Sequence, residues 1–432
     1  MTLILRRHVA AVAVTLCVST GLAAAELPYA SAPEDVGLSS ERLARIGEVL
    51  SEGMERGEIP GFVALVMRRG KIAYHEAFGV QDPVSGKAMA KDSIFRIYSM
   101  TKPITSTAVM ILVEEGKIKL SDPIARYLPE LGDMTAATNA DSAAGPDSVE
   151  TEPIGPPIRI VDLLRHTAGL TYAFLGDFMG ANAVEKMYLD GGVNDVEITN
   201  AELVTRVAAQ PLRYQPQTTW QYSRATDVLG RLVEVVSGMT LGEYFEANIL
   251  APLGMTDTGF YAKPENVDRL AQPFPAEMEG LTLPYLVVDK PPKFEAGGQG
   301  LTSTALDYAK FCQMMLNDGR LGAVRILGSN TAQLMHTDAV GTLFELGPLY
   351  LPGPSHGFGL GFAVRTEGGR SPGLLSPMHG SVGEYYWAGY AGTYFWIDPE
   401  EELVAVYMMQ SVPNLIPYVE LFKTLVMQSI ID

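Results

Sequence analysis

The order of strand-like and helical segments along this chain leaves few possible folds. Strand-like runs lie near both ends: GFVALVMRR, KIAYHEAFG, GFGLGFAVR, GTYFWID and LVAVYMMQ. Short turns at Gly70 and Pro399 separate neighbouring runs, which favours antiparallel pairing. From Ser99 to about Val288 the patterns are helical and are joined by long loops. The sequence therefore predicts one antiparallel sheet built from both ends of the chain, with a helical region inserted between them.

We expect an α+β fold in which N- and C-terminal helices flank the sheet. An amphipathic segment, SSERLARIGEVLSEGMERGEI, precedes the first strand, and a closing helix begins near Pro417. The expected sheet domain comprises residues 26–98 and 297–432, and the expected helical domain comprises residues 99–296. The polar run GDMTAATNADSAAGPDSVETEPIGPP is typical of a mobile surface insertion.

Residues 1–25 predict a secretory signal. Arg6 and Arg7 precede the apolar run VAAVAVTLCV, and Ala23 and Ala25 supply the small residues that a signal peptidase reads. The apolar run is too short for a transmembrane helix. We therefore expect cleavage after Ala25 and a periplasmic or secreted protein without a stable membrane anchor.

Charge and cysteine content exclude several classes of protein. The formal net charge is −18, which disfavours binding to nucleic acid or to an anionic membrane surface. Loss of Cys17 with the signal leaves Cys312 alone, so we expect a buried packing cysteine and no intramolecular disulfide. The six histidines lack metal-ligand spacing, so no metal site is expected. The oligomeric state stays open at this stage.

The stretch IYSMTKPI, residues 97–104, carries the first chemical signal. Proline is tolerated in the first turn of a helix but not in its interior, so Pro103 suggests a helix that starts at Ser99. The spacing then places Lys102 on the same face as Ser99. A lysine whose pKa is lowered by burial can activate a serine nucleophile. An ordinary helix cap with a solvated lysine is the alternative interpretation.

Two other features suggest chemistry less strongly. Ser371 lies in GRSPG, which matches a nucleophile elbow, and His379 follows it. An elbow requires a strand that runs directly into a helix, whereas Pro372 and Pro377 crowd this serine. A polar loop is the better interpretation, and His379 is expected in a loop. His166 ends an apolar helix, where a structural hydrogen bond is the expected role.

Two later segments support a particular family. TTWQYSRATDVLG places Tyr222 and Ser223 before an amphipathic helix, and EYYWAGYAGTYFWIDP places Trp387, Ala388 and Gly389 at the edge of a strand. With these segments the chain resembles the serine β-lactamase and penicillin-binding protein superfamily, most closely the family VIII carboxylesterases, relatives of class C β-lactamases. Further stretches carry the resemblance: FRIYSMTKPITS, GKIKLSDPIARYLPEL, LLRHTAGL, GGQGLTSTALDYAKF and AGTYFWIDP. The resemblance implies a β-lactamase/transpeptidase-like fold.

The resemblance also implies roles for individual residues. Ser99 would be the acylated nucleophile, and Lys102 would be its activating partner. Tyr222 would pass protons between the hydroxyl, the leaving group and water. The backbone amides of Ser99 and Tyr390 would form an oxyanion hole. Neither a metal nor an organic cofactor is implied.

Two departures from the β-lactamase pattern bear on the substrate. Trp387, Ala388 and Gly389 occupy the place of the Lys-Thr-Gly strand of β-lactamases, so an aromatic side chain replaces a cation. Arg224 stands where penicillin-recognising enzymes typically carry asparagine. Both departures favour a neutral ester with an apolar acyl part over a β-lactam.

Ser223 and Arg224 complete the candidate substrate-binding residues. Arg224 has two further interpretations: it lowers the pKa of Lys102 or Tyr222, or it forms a surface ion pair.

The sequence therefore predicts an exported serine carboxylesterase that acts on small to medium acyl esters through a Ser99 acyl-enzyme. A small-molecule ester is the expected partner. One alternative is a β-lactamase or D-Ala-D-Ala carboxypeptidase, against which Arg224 and Trp387 argue. Another is a non-catalytic protein that binds peptidoglycan or peptides. The presence of Ser99, Lys102 and Tyr222 together argues against this second alternative.

Overall fold

The computed structural model describes residues 26–142, 145–175, 182–278, 285–348, 350–353, 355–366 and 378–432. The predicted signal at 1–25 and the rival serine, Ser371, lie outside these described residues. The strands are β1 Gly61–Arg68, β2 Lys71–Asp82, β3 Lys87–Ala88, β4 Phe95–Arg96, β5 Thr135–Ala137, β6 Thr151–Pro153, β7 Thr219–Trp220, β8 Thr302–Ser303, β9 Arg320–Leu321, β10 Val324–Arg325, β11 Glu345–Leu346, β12 His356–Phe358, β13 Ala363–Arg365, β14 Tyr385–Gly389, β15 Thr393–Asp398 and β16 Leu403–Met409. The α-helices are α1 Ser40–Glu55, α2 Thr101–Glu114, α3 Ile160–Leu164, α4 Ala183–Asp190, α5 Asn200–Ala208, α6 Ala225–Ser237, α7 Leu241–Phe245, α8 Ala251–Leu253, α9 Ala305–Leu316, α10 Ser329–Met335 and α11 Leu415–Met427.

An eight-stranded sheet joins the two ends of the chain. Its strand order is β12-β13-β14-β15-β16-β1-β2-β3, and the paired strands are antiparallel. Phe62 of β1 lies opposite Met409 of β16 on one side and Phe78 of β2 on the other. Every residue of β1 and β16 is buried, which explains their continuous apolar sequences. The predicted antiparallel sheet from both chain ends is confirmed.

The turn between β1 and β2 forms as the sequence suggests. Arg69 and Gly70 both have positive φ, 52° and 73°, and Arg68 pairs with Lys71. Two central residues with positive φ match the right-handed twist of a two-residue hairpin, and glycine adopts this geometry without steric cost.

Helices cover both faces of the sheet. Phe422 of α11 packs against Trp396 and Tyr407, whereas Tyr308 of α9 packs against Phe395. Successive residues of a strand point to opposite faces, so α9 and α11 lie on opposite faces. Helix α1 packs beside α11, as expected for flanking terminal helices. On α9, Cys312 is a buried free thiol, which confirms its predicted packing role.

Helix α2 connects the sheet to the helical region. It packs against α6. Gly361, beside β13, lies so close to α2 that a Cβ added to this glycine would be 2.4 Å from Oγ of Ser106 in α2. Nearly every residue of α2 is buried, so the helix is enclosed rather than amphipathic. Among the described residues, no helix is long and apolar enough to cross a membrane.

Two local predictions need correction. GFGLGFAVR, expected as a single strand run, forms β12 and β13, which pair as a hairpin. The chain reverses at Gly361, whose φ of 100° is accessible mainly to glycine. The polar run expected to be an irregular insertion contains the paired strands β5 and β6. The division into 26–98 plus 297–432 and 99–296 stays a prediction.

Candidate active site

Ser99 lies in a short turn between β4 and α2. A 3₁₀ turn, Tyr98–Met100, leads directly into α2 at Thr101, so the serine lies just before the helix rather than at its first residue. Lys102 and Pro103 are in the first helical turn, as the position of the proline predicted. Tyr98 has a φ of 41°, which is costly for a bulky residue and requires support from its surroundings.

Buried hydrogen bonds hold this turn in place. The Tyr308 hydroxyl donates to the Met100 carbonyl at 2.7 Å. The Leu301 amide donates to Thr101 Oγ1 at 3.1 Å, and the Ile97 amide donates to the Leu301 carbonyl at 3.0 Å. The position of Ser99 is therefore fixed by α9 and by the segment before β8.

Lys102 is the base nearest to Ser99. Its side chain is 1% exposed, and Nζ lies 3.2 Å from Ser99 Oγ and 2.9 Å from the Gly298 carbonyl oxygen. Burial lowers the pKa of Lys102 to about 7, the Asp227 carboxylate opposes this, and the Arg224 guanidinium adds to it. The lysine can therefore be neutral near pH 7 and accept the Ser99 proton. A solvated lysine beside a helix cap is excluded.

Tyr222 completes the group around Ser99. Its ring centroid lies 4.5 Å from Lys102 Nζ, and its hydroxyl accepts a hydrogen bond from Trp387 Nε1 at 3.2 Å. Burial raises the pKa of Tyr222, and hydrogen bonds to Ser99 and Trp387 lower it in part. The hydroxyl therefore stays protonated at neutral pH and can donate to an oxygen bound at Ser99.

Strand β14 ends beside the Ser99 turn. A Cβ added to Gly389 would lie 2.3 Å from the Ile97 carbonyl oxygen, so this close approach requires glycine. The ring of Tyr390 lies edge-on to Tyr98 at 5.7 Å. The two segments that carry the predicted oxyanion amides, Ser99 and Tyr390, are thus adjacent. Their role in binding an oxyanion stays a prediction.

Of the triplet on β14, Trp387 contacts Tyr222 through its side chain. Its ring is 5.4 Å from that of Tyr222 and is 5% exposed. Ala388 is partly exposed between Trp387 and Gly389. An aromatic side chain therefore lies where the β-lactamase pattern has a cation, and it reaches Tyr222 directly.

Ser223 and Arg224 face the protein rather than Ser99. Ser223 Oγ lies 3.1 Å from His166 Nδ1, which gives His166 the structural hydrogen bond expected of it. Arg224 is 1% exposed and contacts Asp227 at 3.2 Å and Asn194 Oδ1 at 2.8 Å. The expectation that these two side chains bind substrate stays a prediction. The surface ion pair is wrong, because the pair between Arg224 and Asp227 is buried.

The sequence interpretation missed three groups around Lys102. The Tyr172 hydroxyl lies 3.2 Å from Lys102 Nζ, and the Gly298 carbonyl accepts from the same nitrogen. The Asp227 carboxylate accepts from the Gly298 amide at 2.8 Å. A Cβ on Gly298 would meet both Asp227 and Tyr172 at 3.0 Å. Gly298 belongs to a family-like stretch, GGQG, and Tyr172 follows another, LLRHTAGL, so these stretches were the available signal.

His379 is the remaining candidate among the described residues. The backbone carbonyl of His379 accepts from Arg365 at 3.2 Å, in the segment that leads to β14. Among the described ranges, no group of three or more His, Cys, Asp or Glu side chains could hold a metal ion.

The fold and the Ser99 group together define a class of protein. The β-lactamase family profile matches residues 46–419, and the chain belongs to this family. Esterase EstB of Burkholderia gladioli is 31% identical over 374 residues, which cover 82% of this chain and 87% of EstB. The uncharacterized protein MT1414 of Mycobacterium tuberculosis is 36% identical over 375 residues, covering 85% and 89% of the two chains. Among solved structures, EstCE1, a hydrolase with promiscuous acyltransferase activity, has a TM-score of 0.73 at 27% identity and covers 89% of this chain and 98% of its own.

Proposed function

We propose that this protein is an exported carboxylesterase that hydrolyses small to medium acyl esters through an acyl-enzyme on Ser99. The observation that carries the proposal is the 3.2 Å approach of a buried Lys102 amine to Ser99 Oγ, with the pKa of Lys102 near 7. The esterase and hydrolase relatives support a serine hydrolase. The predicted signal at residues 1–25 supports export.

Acylation would begin with proton transfer from Ser99 Oγ to Lys102 Nζ as the oxygen attacks the ester carbonyl carbon. The carbonyl oxygen becomes an oxyanion, which the backbone amides of Ser99 and Tyr390 would stabilise. When this tetrahedral intermediate collapses, the bond between the carbonyl carbon and the alcohol oxygen breaks, and the alcohol oxygen takes a proton from Tyr222. Lys102 then returns a proton to Tyr222. In deacylation, water attacks the acyl carbon while Lys102 and Tyr222 transfer the protons, and the acid is released from Ser99.

The surroundings of Ser99 favour esters over β-lactams. Trp387 offers an aromatic surface where a β-lactamase would offer a cation for the substrate carboxylate. Arg224 cannot replace that cation, because it is buried and paired with Asp227. An ester needs only a nucleophile, an oxyanion hole and a proton donor for its leaving oxygen.

We expect kcat/KM for p-nitrophenyl butyrate to exceed that for a chromogenic cephalosporin by about a hundredfold or more. This ratio compares how well one site stabilises the two transition states, and a factor of ten corresponds to about 1.4 kcal/mol. Both compounds are measured on one preparation, with the Ser99→Ala protein as the blank. An equal or higher value for the cephalosporin would replace the esterase proposal with the β-lactamase alternative.

The charge of Arg224 is expected to shift the pH at which activity appears. The Arg224 guanidinium lowers the pKa of Lys102. In Arg224→Gln this pKa rises, the lysine stays protonated to higher pH, and the acid limb of kcat/KM moves up by about half a unit or more. Asp227→Asn should move the limb the opposite way, since Asp227 raises the pKa of Lys102.

The measurement is kcat/KM for p-nitrophenyl butyrate from about pH 5 to pH 9. Arg224→Lys keeps the positive charge and serves as the matched control, so its profile should stay close to that of the parent. Identical profiles for the Gln, Lys and parent proteins, with folding intact by circular dichroism, would show that Arg224 does not tune the base.

A further inference from the structure

A cavity of about 280 Å³ lies beside the segment that precedes Ser99. Ser99 itself does not line it. The apolar part of its wall comes from five residues: Val267, Leu270, Leu286, Val287 and Val288. Four polar residues also line it: Arg96, Gln272, Tyr285 and Asp289. Of these four, Arg96 and Tyr285 are more than nine-tenths buried.

Arg96 is a buried cation without a carboxylate partner among the described residues. Its side chain is 7% exposed. Nε donates to the Leu286 carbonyl at 2.7 Å and a terminal nitrogen donates to the Ala271 carbonyl at 3.0 Å. These neutral acceptors use two of the five N–H groups, and the carboxylate of Asp289 acts on the charge only through space. Asp289 lines the cavity too, but its side chain is exposed and forms no ion pair with Arg96.

Tyr285 supplies a second donor at the same place. Its side chain is 9% exposed, and its hydroxyl has no hydrogen-bond partner in the described part of the chain. The Arg96 guanidinium carbon lies 5.9 Å from the centroid of the Tyr285 ring. Buried arginines are normally paired with an anion, and buried hydroxyls are normally hydrogen-bonded. Asp289 acts on Arg96 and Glu277 acts on Tyr285 through space, but in the described part of the chain neither Arg96 nor Tyr285 has a hydrogen-bonded anionic acceptor.

We propose that this cavity binds a small aliphatic carboxylate. The carboxylate would accept hydrogen bonds from the Arg96 guanidinium and the Tyr285 hydroxyl, and the alkyl chain would lie against the apolar wall. The volume falls just below the range of about 300–1,000 Å³ typical of small-molecule sites, which suits a chain of a few carbons. This site is separate from Ser99. Tyr98 links the two, since its ring contacts both Tyr285 and Tyr390.

The test is titration calorimetry of the Ser99→Ala protein with hexanoate, with hexan-1-ol and hexylamine as matched neutral and cationic probes. We expect saturable binding of hexanoate and binding at least tenfold weaker for the other two. No turnover is measured, so the result is independent of the proposed esterase activity. Equal affinity for the alcohol would overturn the proposal, because the cavity would then bind only the alkyl chain.

Tyr285→Phe provides the decisive variant. Its hydroxyl has no protein partner, so removing it should not unfold the protein. We expect hexanoate to bind at least threefold more weakly to this variant. Tyr394→Phe, which removes another buried, unpartnered hydroxyl outside the cavity, is the matched control and should bind as the Ser99→Ala parent does. Unchanged affinity in Tyr285→Phe would assign hexanoate to another place and would refute the site.

Discussion

Ser99→Ala is expected to abolish both ester turnover and covalent labelling by a fluorophosphonate. The oxygen that forms the acyl-enzyme has no substitute, and loss of such a nucleophile lowers the rate by about 10⁴-fold or more. Folding should be unaffected, because Ser99 is only partly buried and lies before α2. The measurements are p-nitrophenyl butyrate hydrolysis and mass mapping of the labelled peptide.

Two other serines are the controls for this experiment. Ser223 is buried against His166, so Ser223→Ala should leave a measurable rate and full labelling at Ser99. Ser371→Ala tests the rival sequence motif and should also leave a measurable rate. If either control loses as much activity as Ser99→Ala while its circular dichroism is unchanged, the nucleophile has been assigned to the wrong residue.

Lys102→Met and Tyr222→Phe should each lower kcat by about 10²-fold or more, and the double variant should be little worse than the poorer single variant. Both groups are placed to transfer protons at Ser99: Nζ lies 3.2 Å from Oγ, and the tyrosine ring lies 4.5 Å from Nζ. Residues that act as one proton-transfer unit give strongly non-additive losses.

The kinetic measurement is kcat for all four proteins at a pH above the pKa of Lys102, where the parent is fully active. Methionine keeps the length and apolar stem of the lysine, so the loss reports the missing amine. Losses that add on a logarithmic scale would show that Lys102 and Tyr222 work independently, and the shared mechanism would be rejected.

Local sequence was sufficient to locate the reacting groups but not their electrostatic surroundings. Pro103 restricts Lys102 to a first helical turn, so the Ser99 and Lys102 pairing could be predicted from a few neighbouring letters. The effect of the Asp227 carboxylate, which raises the pKa of Lys102, could not be predicted from neighbouring residues. Asp227 acts on the lysine through space and binds the Gly298 amide. The burial of the ion pair between Arg224 and Asp227 could not be predicted from the sequence either.

The parts of the fold that depend on the hydrophobic pattern of the sequence could be predicted. The parts that depend on close packing between distant residues were harder to predict. Continuous apolar runs identified β1 and β16 as strands. The reversal at Gly361 was missed because it follows from contact between backbone and Ser106 of α2, which no local pattern encodes. Tyr285 and Arg96 were not recognised as a pair for a related reason. They come together only in the folded chain.

The pairing of β1 with β16 has a consequence for how the protein is made. β1 is synthesised long before β16, one of its two neighbours in the sheet. Until β16 is made, a largely apolar strand has an open edge, the feature that promotes association between unfinished chains. Contacts between residues so distant in sequence also slow folding. Expression conditions that slow aggregation are therefore expected to raise the yield of folded protein.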